Sequence, residues 1–181
     1  MAEQEKNKNK KLQLLLDDLS SGKIDKQLAA VDALRAHGNE TIISNLLDVY
    51  RTTDAEELQN EISDLLNTIK SEKTPAVVMK YLADKKYADQ KIILLTSAWS
   101  SGLDYSPYVA GLVNMAIEGD LMEVFEIQTI LENLETLPAD EVINEALIVL
   151  GNYLAEHKNE SSPRIDLLMQ IGNHLKKLNE D

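Results

Sequence analysis

Apolar residues recur at every third or fourth position along most of the chain, which is the spacing of amphipathic α-helices. No stretch shows the strict apolar–polar alternation that is typical of a half-buried strand. Pro and Gly, which mark turns, number only 4 and 7 in 181 residues, too few for a many-stranded β protein. The pattern therefore predicts an all-α protein with helices near Lys10–Leu19, Leu28–Leu34, Ile42–Tyr50, Leu58–Ile69, Val77–Leu82, Ile92–Trp99, Val109–Ala116, Leu121–Leu134, Val142–Leu154 and Ile165–Leu175.

The four prolines support this division, because proline is favoured in the first turn of a helix and breaks a helix interior. Pro75, Pro107 and Pro163 each follow a Ser or Thr, a combination typical of an N-cap and the first helical residue. Pro138 precedes another predicted helix. Each proline is therefore predicted to lie where a helix begins.

The helices are predicted to form pairs at a regular interval. The breaks inside successive pairs fall near Gly38, Ser71, Gly102 and Leu137, at separations of 33, 31 and 35 residues. A period near 33 residues with two helices in each unit is typical of an α-solenoid, in which each pair stacks on its neighbours to form a core. About four pairs, flanked by an N-terminal and a C-terminal helix, account for the chain.

The segment Gln27–Leu34, with the sequence QLAAVDAL, resembles the small-residue and leucine pattern in the first helix of a HEAT repeat. Over about residues 24–157 the chain is similar to the HEAT-repeat family and its armadillo-like relatives, with degenerate repeats. The resemblance implies a short right-handed α-α superhelix, with the second helices of the pairs along the concave side. We expect a flexible basic tail at residues 1–9 and a single helical-repeat domain over residues 10–181. A compact irregular helical bundle is the alternative fold.

Charge is distributed unevenly along the chain. The net charge is −13, and residues 92–157 contain 11 Asp and Glu residues but no Lys or Arg. Such a surface repels phosphate backbones and anionic lipid, so we expect neither nucleic acid nor a membrane as a partner. The basic cluster Lys6, Lys8, Lys10 and Lys11 is interpreted as part of a solvated tail.

A cytoplasmic location is expected. The chain contains no cysteine, which fits a reducing compartment. The leucines of the first predicted helix are followed by Asp17 and Asp18, too early for the apolar core of a secretory signal. Purely aliphatic stretches such as Ile92–Leu95 are far shorter than the about 20 residues that a membrane-spanning helix needs.

Few residues are candidates for catalysis. Without cysteine there is no thiol nucleophile, and no glycine-rich phosphate loop follows a strand. His37 precedes Glu40 by three residues and His157 precedes Glu160 by three, but both pairs fall at predicted helix ends, where the helix dipole favours histidine. We therefore predict a non-enzymatic protein with no cofactor and no metal site.

The acidic segment contains the candidate binding surface. The helix from Asp140 to His157 is predicted to turn one stripe toward the core, namely Val142, Ala146, Leu147, Leu150 and Leu154. The opposite stripe, with Ile148 or Val149 at its margin, consists of Glu141, Glu145, Asn152 and Glu156. The neighbouring helix places Tyr108, Gly111, Met115 and Glu118 off its core face, and Tyr108, Met115 and Glu118 are the candidate binding residues among them. Tyr and Met framed by carboxylates suit a protein or peptide partner with basic and apolar residues; the alternative is an acidic face that only keeps the protein in solution.

Two other functions remain open at this stage. One is a structural scaffold subunit, or a homodimer, that associates through an apolar end helix, either Leu12–Leu19 or Ile165–Leu178. The other is a metal-dependent enzyme that uses His37 or His157 with nearby carboxylates. Trp99 shares a helix face with Ile92 and Leu95 and is predicted to lie in the core rather than to bind a ligand.

Overall fold

The computed structural model describes residues 2–180, and of residues 2–5 and 8 the backbone alone. Within this range the chain forms ten α-helices, three short 3-10 helices and no strand. The predicted all-α class is therefore confirmed. The chain divides into two compact units, residues 1–101 and 102–181. A single domain over residues 10–181 stays a prediction, and the two units are described separately.

Unit 1 contains six α-helices. They are α1 (Ala2–Leu19), α2 (Ile24–Arg35), α3 (Ile43–Thr52), α4 (Glu56–Thr68), α5 (Thr74–Leu82) and α6 (Lys91–Ser100). Gly22 provides the turn between α1 and α2, because its φ of 69° lies in the left-handed region that other residues rarely adopt. The core of the unit is aliphatic, with fully buried leucines and isoleucines from α2, α3, α4 and α6.

The helices of unit 1 form two layers. Consecutive helices pack as the pairs α1–α2, α3–α4 and α5–α6. The pairs contact one another through α1, α3 and α5 in one layer and through α2, α4 and α6 in the other. Each helix therefore buries one side against its pair mate and another side against the next pair.

Unit 2 repeats this arrangement with four helices. They are α7 (Val109–Glu118), α8 (Leu121–Glu132), α9 (Asp140–Glu156) and α10 (Pro163–Leu178). The pairs are α7–α8 and α9–α10, and they contact each other through α7 with α9 and α8 with α10. The side chain of Asp120 caps α8 by accepting a hydrogen bond from the backbone N–H of Glu123 at 2.9 Å.

The predicted pairing of the helices is shifted by one helix. Sequence analysis placed α2 with α3 and α4 with α5, whereas in the structure α1 packs against α2 and α3 packs against α4. In a two-layer arrangement every connection is a short loop, so breaks in the apolar pattern do not distinguish loops within a pair from loops between pairs. The breaks near Gly38 and Ser71 accordingly separate pairs.

The first helix also begins earlier than predicted. Helical backbone starts at Ala2 instead of Lys10 and covers residues 2–9 of the stretch that we expected to form a flexible tail. Apolar periodicity is absent there, but Lys, Glu and Gln have high helix propensity of their own. Met1 lies outside the described residues.

Of the three predicted Ser/Thr–Pro caps, one was correct, and Pro138 precedes a helix as predicted. Ser162 is the N-cap of α10 and accepts a hydrogen bond from the backbone N–H of Ile165, with Pro163 as the first helical residue. The helix α5 begins at Thr74 itself, so Thr74 is not its N-cap. Pro107 lies within the 3-10 helix Ser106–Tyr108, which precedes α7. Pro138 precedes Ala139, the N-cap of α9.

Candidate partner-binding surface

Helix α9 presents the candidate surface. Its first turn contains Asp140 and Glu141, whose negative charge is favourable at the positive end of the helix dipole. Ile143, Ala146 and Leu150 are buried and hold the helix against its neighbours. These positions fix which side of α9 faces solvent.

The solvent side of α9 has the composition that the sequence predicted. Glu141, Glu145, Asn152 and Glu156 are all exposed. The spacing of these residues, four, seven and four positions, keeps them on one face of the helix. With Ile148 they form what we call the acidic stripe.

Ile148 lies at the centre of the acidic stripe, and not at its margin as sequence analysis placed it. Its side chain is 64% exposed, the largest exposed fraction among the large apolar residues of the described chain. The predicted core stripe of α9 is also corrected, because Val142, Leu147 and Leu154 are only half-buried. The centre of the buried face is instead Ile143, Ala146 and Leu150.

The three predicted site residues of the neighbouring helix differ in exposure. Glu118, the last residue of α7, is exposed, whereas Tyr108 and Met115 are half-buried. The ring of Tyr108 lies beside that of Tyr105, with centroids 6.3 Å apart. Met115 and Glu118 lie on α7, which packs against α9, whereas Tyr108 ends the 3-10 helix before α7 and is the N-cap of α7.

Unit 2 has a strongly negative electrostatic field. Residues 102–181 contain 15 Asp and Glu residues but only four basic ones, Lys158, Arg164, Lys176 and Lys177. The net charge of this unit is therefore −11, against −2 for residues 1–101. A field of this size raises the local concentration of cationic partners and speeds their association.

The guanidinium of Arg164 is bound within unit 2 itself. Its Nε donates to the carbonyl oxygen of Gly119 at 2.7 Å and its Nη1 donates to the hydroxyl of Tyr153 at 2.8 Å. Its Nη2 donates to the carbonyl oxygens of Ala116 and Ile117 at the end of α7. We call these contacts the Arg164 clasp; they join the start of α10 to the ends of α7 and α9.

The three histidines have partners within the chain. His37 Nε2 lies 2.9 Å from Lys11 Nζ, and His174 Nε2 lies 3.1 Å from the carbonyl oxygen of Leu131. The ring of His157 stacks on Tyr153 with centroids 4.0 Å apart, and its Nε2 is 3.9 Å from Glu160. Among the side chains that the structure describes, no group of three His, Asp or Glu is arranged to hold a metal ion.

A groove between α9 and α10 was missed by sequence analysis. It has a volume of about 250 Å³ and is lined by Leu147, Gly151 and Leu154 from α9 together with Met169, Asn173 and Lys176 from α10. The signal for it was the pair Leu147 and Leu154, which the helical period placed in the core. In the folded unit these leucines are half-buried because they border the groove.

The prediction for Trp99 was wrong. Its side chain is 38% exposed, and α6 instead buries Leu94, Leu95 and Ala98. The buried face of α6 is thus rotated from the one that the spacing of Ile92 and Trp99 indicated. None of the helices in the described range has the length and apolar character needed to cross a membrane.

Comparison with family models, curated proteins and solved structures finds no match for this chain. The resemblance of Gln27–Leu34 to a HEAT repeat therefore stays an expectation.

Proposed function

We propose that this chain is a non-enzymatic protein–protein interaction module that presents an acidic surface to a basic protein or peptide. The observation that supports the proposal is the acidic stripe of α9, in which exposed carboxylates lie on both sides of an exposed Ile148. Interfaces commonly combine an apolar anchor with a polar rim. The stripe offers both on one rigid helix.

The chemistry of the stripe defines the partner that fits it. From Glu141 to Glu156 the stripe is about 22 Å long, the length of about four helical turns. A partner helix with Lys or Arg at every third or fourth position and one apolar residue among them would match it. Its charges would determine the association rate, and its apolar residue would prolong the bound state.

We also propose that the helix pairs form a short HEAT-like α-solenoid, a right-handed α-α superhelix. Two features support this architecture. Within each unit, pairs contact the next pair layer by layer, and α3, α5, α7 and α9 begin at residues 43, 74, 109 and 140, at intervals of 31, 35 and 31 residues. Such stacks present extended surfaces to partner segments.

The lack of cysteine supports action in the cytoplasm.

A charge-reversal pull-down tests the binding function. Tagged wild-type protein and the variant Glu141→Lys/Glu145→Lys are incubated with native lysate at low and at high ionic strength, and bound proteins are quantified by mass spectrometry. We expect basic proteins to be retained by the wild type at low salt, to be released at high salt, and to be lost by at least about tenfold with the variant, because like charges then face the partner.

The matched control is Glu57→Lys/Asp64→Lys in α4. It changes the net charge by the same amount, also replaces one acid in a first helical turn, and involves exposed residues of unit 1. This control should retain the partners of the wild type. Equal loss of the partners with both double variants would show that net charge alone attracts them, and would contradict binding at the acidic stripe.

A further inference from the structure

The groove between α9 and α10 lies on a face that no other helix of unit 2 covers. The pair α7–α8 buries the corresponding face against the next pair, because α7 packs on α9 and α8 packs on α10. The pair α9–α10 has apolar side chains on its far face as well, among them Leu147, Leu154 and a Met169 that is 45% exposed. Apolar residues in this position are those that a further helix would bury.

Helix α10 has a symmetric arrangement of charge on this face. Asp166, Met169, Asn173 and Lys176 follow one another at intervals of three, four and three residues, which places them on one side of the helix. The two charges lie five residues before and five residues after Ile171, and Met169 and Asn173 lie two residues before and after it. Ile171 itself is buried on the other side of α10 and only marks the middle of this arrangement. Two copies of α10 that lie antiparallel with their middles at the level of Ile171 therefore bring Asp166 opposite Lys176 twice.

Gly151 leaves room for such a crossing. A Cβ atom at this position would have no neighbouring atom within 4 Å, so the space above the middle of α9 is open. Leu147 and Leu154 border this space on either side. A side chain from a second molecule, with Met169 the nearest candidate on the antiparallel copy, can enter the groove over Gly151.

We propose that the α9–α10 face is the contact surface of a two-fold symmetric homodimer. Its occupant is a second copy of this chain, because the charges on α10 are complementary to themselves in the antiparallel orientation. Two helices about 25 Å long and about 10 Å apart offer on the order of 500 Å² in each copy, which is the size of a weak interface. We expect a dissociation constant in the micromolar range for this dimer.

Paired charge reversals test the symmetry of the dimer. The full-length chain is studied by sedimentation equilibrium from about 1 μM to about 500 μM, a range that brackets a micromolar dissociation constant. Lys176→Glu alone and Asp166→Lys alone each place like charges opposite each other twice, so each should weaken dimerisation by at least about tenfold. An equimolar mixture of the two variants restores both opposite-charge pairs and should dimerise as the wild type does.

Two further variants separate the interface from effects on folding. Lys177→Glu makes the same charge change on a neighbouring exposed position and should leave the dimer intact. Gly151→Gln replaces a helical glycine where space is open, which favours the helix, yet its side chain obstructs the crossing and should give a stable monomer. A wild type that stays monomeric over the whole range, or a mixture of the reversed variants that stays monomeric, would overturn the proposal.

Discussion

Tyr105 is a fully buried polar residue at the start of unit 2. Its side chain is 1% exposed, and among the described residues its hydroxyl has no hydrogen-bond partner. Burial also raises the pKa of Tyr105 above its usual value, because the phenolate would be poorly solvated there. The hydroxyl thus lowers the stability of the fold, while the ring contributes to the core.

Replacing Tyr105 with Phe should therefore stabilise the protein. Removing an unsatisfied hydroxyl while keeping the ring is expected to raise the free energy of unfolding by about 1 kcal/mol at neutral pH. Urea denaturation followed by circular dichroism measures this change. A loss of stability on this substitution would show that the hydroxyl has a favourable interaction in solution.

The same substitution should change the alkaline pH dependence of stability. Because the pKa of Tyr105 is raised in the folded state, the unfolded chain loses this proton first, near pH 10, and the free energy of unfolding falls as the pH rises above that value. Between pH 8 and 11 the wild type should lose more unfolding free energy than Tyr105→Phe. Parallel curves for the two proteins would contradict this assignment.

The side chain of Arg164, a single residue, links three helices of unit 2. The last carbonyl groups of a helix lack partners within the helix, and the Arg164 clasp satisfies three at the end of α7 and beyond it. Its positive charge also lies at the negative end of the α7 dipole. These contacts explain why a cation is favourable at this position.

Arg164→Met should destabilise unit 2 by about 2 kcal/mol, because hydrogen bonds that involve a charged group contribute about 1.5–3 kcal/mol and three carbonyl oxygens at the end of α7 lose their charged donor. Arg164→Lys should recover part of the loss, because an ammonium retains the charge but lacks the planar set of donors. The control is Lys158→Met, which removes an exposed cation near the end of α9. Equal denaturation midpoints for Arg164→Met and Lys158→Met would show that the clasp does not stabilise the unit.

At the scale of the element, α9 shows how far a helical period determines structure. The period correctly separated Glu141, Glu145, Asn152 and Glu156 from the buried side. It did not determine the rotation of the helix, because α9 has apolar residues around most of its circumference. Ile148 faces solvent while Ile143 is buried, and only packing against α7 and α10 decides between them.

Ile148→Ser tests the apolar centre of the acidic stripe. Ile and Ser have similar helix propensities and the position is exposed, so the free energy of unfolding should change by less than about 0.5 kcal/mol. Binding of a labelled amphipathic peptide, with Lys at every third or fourth position around one Leu, should weaken by about fivefold or more in fluorescence anisotropy. The control Met122→Ser alters another exposed apolar residue of unit 2 and should bind as the wild type does. If Ile148→Ser binds as tightly as the control, the stripe has no apolar anchor.

At the scale of the whole molecule, local pattern predicted the helical class and the location of the negative charge. Both depend on residues close together in the sequence. The shifted pairing, the groove and the Arg164 clasp depend on contacts between distant residues: Arg164 binds Gly119, which lies 45 residues away. The apolar period of the sequence does not indicate such a contact. A single arginine near the start of a helix is common and does not distinguish itself from other surface arginines.

The distance spanned by the Arg164 clasp also has a consequence for biosynthesis. The carbonyl groups at the end of α7 leave the ribosome before Arg164 does, by 45 residues in the case of Gly119. At elongation rates of about 5–20 residues per second, Arg164 is synthesised about 2 to 9 seconds after the end of α7. Unit 1 contains three helix pairs that are already synthesised by then. Nascent unit 2 is therefore expected to be the part of the chain that chaperones bind, and slow codons between residues 119 and 164 would prolong that exposure.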